Sequence, residues 1–390
     1  MPTFRRTGVV VFTLLALHPI LSEVLYPLTF LIRNHPRFLK TVNELPKHKI
    51  KWQNDVRNCE DVVLDESSGT AIFSCDPGRD KWNTVMGTFI SATDMTGWIY
   101  YYQYAQGSLE DGNISKMEIE GFSDEKKAVF HPLGMAFLPE TRKLYVINHG
   151  EHPPGMEIFK VNDATNKLTY ERTVKNALMR TPNSVLPISE HEIYFTNDHY
   201  YPVRENKLLS MAENFLKIAR GNVVYMNLKT QEAKIVAQVG FANGIARLNS
   251  THIALASTTG LSVYVFEIGA DHELHQTLRI ECNFWVDNLK TDANGKLLIT
   301  GHPQPLLLEK VGKEQHKYNL DAGRTDGLDP AGRPHAPSWV AEWDGNAEGK
   351  IKNLYIGSDY GMSTSTVRDV NRGVGFIVGL YERGILQFQQ

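Results

Sequence analysis

The segment Glu281–His302, ECNFWVDNLKTDANGKLLITGH, places an acid and an amide, Asp287 and Asn288, directly after the apolar run Phe284-Trp285-Val286. The DANG turn and the short KLLIT strand make it a strand–turn–strand unit, so the polar pair falls where a core side chain is expected. A carboxylate there needs a partner, because burying an unpaired charge is expensive. The same placement recurs. Asn183, Asn243 and Asn288 each lie ten residues before the strand residues Ile193, Ile253 and Leu298, and Asp61, next to Glu60, lies ten before Ala71. Gly134 holds that offset before Leu144. Glu60, Asn183, Asn243, Asp287 and Asn288 together offer carboxylate and amide oxygens without sulfur or an obligatory imidazole. Such a set suits Ca²⁺, whereas zinc or copper would call for histidine or cysteine. Two carboxylates nearly balance a calcium ion. The alternative is a hydrogen-bonded polar plug, or a calcium that only braces the fold.

A constant offset implies elements of constant geometry. The chain is rich in short Val/Ile/Tyr/Phe segments separated by Gly, Asn, Asp and Pro. Six share a form: GTAIFSC, RKLYVINHG, HEIYFTNDH, THIALAST, KLLITGH and NLYIGSD. Their spacing, roughly 45–75 residues, is that of propeller blades with insertions. The expected fold is all-β, a six-bladed β-propeller over residues 50–390. Its innermost strands would bring the repeated polar positions to one level of a central channel. One amphipathic helical insertion, ENKLLSMAENFLKIARG, is expected with Leu208, Met211, Phe215 and Ile218 on its apolar face.

The 390 residues are 42% hydrophobic and 22% charged, an ordinary soluble composition, and the net charge of -3 leaves no basic footprint for nucleic acid. Residues 1–33 combine Arg5-Arg6 with two apolar runs, which is a signal peptide, an uncleaved signal-anchor or a hydrophobic N-terminal helix. Sequons at Asn113 and Asn249 fit secretory routing, to the endoplasmic reticulum, the cell surface or the exterior. Membrane association through the N-terminal segment is expected. Cys59, Cys75 and Cys282 allow one intramolecular disulfide and a leftover thiol. No G-x-S-x-G elbow points to a serine hydrolase.

The motifs CEDVVL, VINH followed by EIFKV, IYFTNDHYY, FANGI, WVDN and GHP stand in an order that resembles the serum paraoxonase/arylesterase family. The resemblance extends over most of the chain after about residue 55. TNDHYY separates it from propellers of the gluconolactonase or strictosidine-synthase kind. The resemblance implies that Glu60, Asn183, Asn243, Asp287 and Asn288 hold a catalytic calcium, and that Asp61 reaches a second, structural one. It implies a histidine dyad containing His149, oriented by Asp198, with His199 and His302 lining the site. The implied activity is hydrolysis of lactones, aryl esters and phosphotriesters, small molecules all, with calcium polarising the substrate and a histidine deprotonating water.

Three residues depart from the family pattern. Its first dyad histidine is Leu133 here, with His131 two residues earlier. Strand alternation puts 131 and 133 on one face, roughly 6–7 Å apart, so His131 is the substitute if there is one. The acid expected after the ligand asparagine is Ser184, which weakens the second calcium site. No cysteine lies near the C-terminus, so closure of the propeller falls to strand pairing. The loss of the first histidine also favours a rival reading, a calcium-braced, non-catalytic membrane-associated binding or chaperone-like protein.

Overall fold

The computed structural model describes residues 29–106, 109, 112–215, 220–321 and 327–390. The chain divides into a unit ending at Lys40 and a propeller unit, Thr41–Gln390. In the first, residues 29–33 are helical; the rest of the apolar N-terminal segment lies outside the described residues, among which no helix is long and apolar enough to cross a membrane.

The propeller has six blade sheets, antiparallel except for the short parallel edge strand Ile119–Glu120 on blade 2, and a separate two-stranded ribbon, Trp82–Asn83 with Thr88–Phe89, among the described residues. Their innermost strands are Cys59–Asp65, Pro132–Leu138, Pro182–Pro187, Ala242–Arg247, Trp285–Thr291 and Ser363–Asp369. Each packs against the next, and the sixth returns to the first, so the ring is closed. Within each blade the short alternating segments pair as meanders. Their apolar residues meet those of the neighbouring blade in separate clusters, such as Val63, Ile72 and Ile99 with Met135, Leu144 and Phe159 between blades 1 and 2.

Closure needs no disulfide. Lys47–Lys51 pairs with the C-terminal strand Ile385–Gln389, completing blade 6 with a strand from the other end of the chain. Val42–Asn43 likewise joins the edge of blade 5. The propeller sheets therefore begin ahead of residue 50. The disulfide that forms, Cys59–Cys75, links cross-strand partners inside blade 1 and leaves Cys282 as a buried thiol.

One of the six repeated segments belongs elsewhere. NLYIGSD falls in Lys352–Gly357, the fourth strand of blade 5, and the equivalent strand of blade 6 is Val374–Gly379. The helical insertion is present as Lys207–Phe215, with Leu208, Leu209 and Met211 exposed. A further helix, Pro305–Glu314, follows GHP and is not expected from the sequence pattern.

Candidate active site and metal cradle

Every inner strand breaks register at the same level. The irregularities lie between Cys59 and Asp61, Pro132 and Met135, Pro182 and Val185, Ala242 and Ile245, Val286 and Leu289, and Ser363 and Ser365. A β-bulge inserts an unpaired residue and re-aims its side chain. The residues at these six bulges are Glu60, Leu133-Gly134, Asn183-Ser184, Asn243-Gly244, Asp287-Asn288 and Thr364. The expected ligands thus share one structural position on different blades. Two glycines show how tightly the strands converge: a Cβ on Gly134 would lie 2.3 Å from the Asn183 carbonyl oxygen, and one on Gly244 would lie 2.6 Å from the Asn288 Cα.

The five expected ligands are all buried, at 8% exposure or less. Asn288 Nδ2 donates to Glu60 Oε1 at 2.8 Å, joining blades 5 and 1. Asn243 Nδ2 donates to Thr258 Oγ1 at 3.1 Å, which commits the amide nitrogen and leaves the carbonyl oxygen free. Asp287 Oδ2 lies 2.8 Å from His302 Nε2. Four buried oxygens, Glu60 Oε2, Asn183 Oδ1, Asn243 Oδ1 and Asn288 Oδ1, have no hydrogen-bond partner among the described residues. Each such group costs about 1–3 kcal/mol if left unmade. Burial, with the charges of Asp61 and Asp287, also pushes the Glu60 carboxyl well above the usual carboxylate range. Oxygen donors of this kind, two of them on carboxylate-bearing strands, fit a hard cation such as calcium. Thr364, whose hydroxyl donates to the Glu60 carbonyl at 2.7 Å, is the sixth blade's member of the ring and was missed because its side chain is not a typical metal ligand.

Asp61 is not part of this cradle. It is fully buried, and its carboxylate accepts from the Val62 and Met135 N–H groups at 2.8 and 2.7 Å and from Lys290 Nζ at 2.9 Å.

The histidines separate into different roles. His149 lines a pocket with Thr84, Arg180, Asp198, His199 and Arg204. Its Nε2 is 2.5 Å from the carbonyl of Pro182, the residue before ligand Asn183, and its Nδ1 contacts Thr84 Oγ1. Burial lowers the His149 pKa below its ordinary value. Asp198 orients His199 rather than His149: Oδ1 lies 2.7 Å from His199 Nδ1, while Oδ2 is buried without a partner among the described residues. His199 Nε2 in turn meets Asn214 Oδ1 at 3.0 Å, on the inserted helix. Burial works against protonation of His199, but the Asp198 charge prevails and raises its pKa.

His131 does not replace the missing histidine. The register break at Pro132 ends simple alternation, and both ring nitrogens are engaged, Nδ1 2.8 Å from Asp76 Oδ2 and Nε2 2.7 Å from the Ala92 carbonyl. Both nitrogens are spent on holding the segment after blade 1's second strand. Leu133 packs in an apolar cluster with Tyr145, Ile147, Met156 and Val185. A buried cation that the sequence reading overlooked, Arg79, donates from Nη2 to the Pro132 carbonyl at 2.8 Å and acts electrostatically on both Glu60 and His149. No period in the chain could have flagged it; it reaches the site from a 3₁₀ turn, Pro77–Asp80.

Fold and site define a class: a six-bladed propeller whose inner-strand bulges present a ring of buried oxygens beside a histidine-lined pocket. The arylesterase family profile matches residues 59–317, and the chain belongs to that family. It is 32% identical over 205 residues to human serum paraoxonase/lactonase 3, covering 51% of this chain and 56% of that one. Against bovine (Bos taurus) serum paraoxonase/arylesterase 2 it is 30% identical over 202 residues, or 50% and 55% of the two chains. The matches thus span little more than half the length of these relatives. The fold is shared with a gluconolactonase from Xanthomonas campestris (TM-score 0.51, 14% identity, 89% of this chain and 90% of that). It is also shared with a luciferin-regenerating enzyme (TM-score 0.51, 10% identity, 90% and 96%).

Proposed function

We propose that the protein is a calcium-dependent hydrolase of lactones and aryl esters, with phosphotriesters as further substrates. The observation that carries this reading is the set of four buried oxygens on four inner strands without a partner among the described residues, with His149 bonded to the carbonyl of Pro182, the residue before Asn183. Glu60, Asn183, Asn243, Asp287 and Asn288 would hold the ion. Calcium held there supplies a Lewis acid for the carbonyl or phosphoryl oxygen and stabilises the charge that develops on it.

The chain's own residues handle the proton. Donation of His149 Nε2–H to the Pro182 carbonyl selects the tautomer with its lone pair on Nδ1. The Thr84 hydroxyl donates to that lone pair, so a water beside Thr84 would pass its proton to Nδ1 through the hydroxyl, which gives its own proton to Nδ1 and takes the water's in return. Burial keeps His149 neutral and therefore competent as a base. The Asp198 charge favours the imidazolium once the proton has arrived. His302, held by Asp287, orients that ligand, in the manner of an outer-shell histidine.

The test is chelation. Excess chelator should lower the melting temperature and abolish hydrolysis of an activated aryl ester, and added calcium should restore both. Asn288→Ala should do the same irreversibly. An unchanged melt with full activity in chelator would refute the proposal. A second reading, a calcium-braced binding protein, draws support from Leu133 and from the engaged nitrogens of His131. Calcium-dependent stability without turnover of any lactone or ester would favour it. The apolar N-terminal segment would take the protein into the secretory pathway and keep it on membranes. A full-length chain recovered soluble, with its N-terminus cut, would show a signal peptide instead.

A further inference from the structure

Register across the blades makes Val63, Ala136, Leu186, Ala246, Lys290 and Val367 equivalent, and all six line the cavity at the channel level beyond the ring. Five are apolar and small or medium in size. Lys290 is the exception. Its side chain, 20% exposed, turns back toward the ring, where Nζ lies 2.9 Å from Asp61 Oδ2 and 3.2 Å from the Met135 carbonyl oxygen. An ammonium between a carboxylate oxygen and a backbone carbonyl has the environment of a bound cation. Asp61 is fully buried, its carboxylate accepts from Val62 N–H, Met135 N–H and Lys290 Nζ, and the single positive charge of the ammonium balances it. Ser184, at the position equivalent to Asp61 on blade 3, brings no second carboxylate.

We infer that the Lys290 ammonium is a built-in cation occupying the place beside Asp61 that a second metal ion would have to take, so that this propeller binds one divalent cation instead of two. A dication added there would meet Lys290 within contact distance and only one carboxylate to offset three positive charges. The inference rests on the reading of the ring as a calcium cradle only for the count of one; the Lys290–Asp61 pair stands on its own geometry.

The experiment titrates Ca²⁺ into the chelator-stripped full chain by calorimetry and follows melting in five forms: wild type, Asp61→Asn, Lys290→Met, the double variant of these two, and Lys290→Met with Ser184→Asp. One ion per chain is expected in wild type and still one in Asp61→Asn. Lys290→Met should melt several degrees lower, because Asp61 is left buried and uncompensated, and Asp61→Asn in the same chain should recover most of that loss. Adding Ser184→Asp to Lys290→Met should raise the count to two. Two ions in wild type falling to one in Asp61→Asn would overturn the inference, as would Lys290→Met melting like wild type. A count of zero in wild type would refute the cradle reading instead, while coupling in the melting cycle would still uphold the pair.

Discussion

Replacing His131 by alanine separates a catalytic histidine from a structural one. His131 and Asp76 are both almost fully buried, their side chains 2% and 1% exposed, and 2.8 Å apart. Removing one partner of such a pair leaves an uncompensated charge and costs about 3–5 kcal/mol. For a domain of this size that is a melting-temperature loss of about 4–7 °C. Because both ring nitrogens are engaged away from the pocket, turnover per folded molecule should stay within a few-fold of wild type. Asp76→Asn combined with His131→Ala should recover much of the stability. The pH dependence supplies a second signature. Burial alone would lower the His131 pKa, but Asp76 prevails and holds it above its ordinary 6.5. A folded-state pKa above the unfolded one means that the stabilisation is fully present below pH 6.5 and is lost as pH rises through the folded-state value. His131→Ala should therefore lack this alkaline slope. Thermal melts across pH 5–9, with hydrolysis assayed on the folded fraction, test both points. A kcat loss of about 10²–10⁴, the range for a general base, with an unchanged melt would refute the structural assignment.

His149→Gln should lower kcat by about 10²–10⁴ without unfolding the protein, and the wild-type acid limb should lie below pH 6.5, since burial depresses this pKa and the neutral ring is the active form. Activity already lost above pH 6.5 on acidification would contradict the assignment. Leu133→His, which places the histidine that the family resemblance implies, should cost about 3 kcal/mol by setting an imidazole in the Tyr145–Met156 cluster, with no gain in turnover. A tenfold rise in lactone hydrolysis would show the side chain reaching the pocket. Burial would raise the Asp65 pKa, but hydrogen bonds from Arg142, Ser67 and Ser68 bring it down to about 2. Its stabilisation is present above 3.8 and lost as pH falls toward 2; after discounting for solvent screening it amounts to about 1 kcal/mol, and acid melts of Arg142→Met should lack it.

Much of the ring was legible in the chain because a propeller repeats itself. A nearly fixed distance from a bulge to the following strand turns equivalence in space into near-equal spacing along the sequence; the offset lands on Asn183 and Asn243 themselves but one residue past Glu60 and Asp287, on Asp61 and Asn288. Glu60, Asn183, Asn243 and Asp287-Asn288 could therefore be picked out before any coordinates. The same regularity misled at blade 6. NLYIGSD has the right local pattern, but strand position within a blade depends on which neighbours pair, and blade 6 borrows its outer strand from Lys47–Lys51. Hydrogen-bond assignments were beyond the sequence for the same reason. That Asp198 takes its neighbour His199, that His131 turns to Asp76, and that Lys290 climbs from an apolar ring to Asp61 are choices among competing partners. Asp76 and Lys290 lie 55 and 229 residues from the groups they meet. Local pattern and periodicity determined where the oxygens sit; only the closed packing of the blades decided which charges would neutralise one another, because in a buried channel a carboxylate's state depends on whatever the fold brings within hydrogen-bond reach.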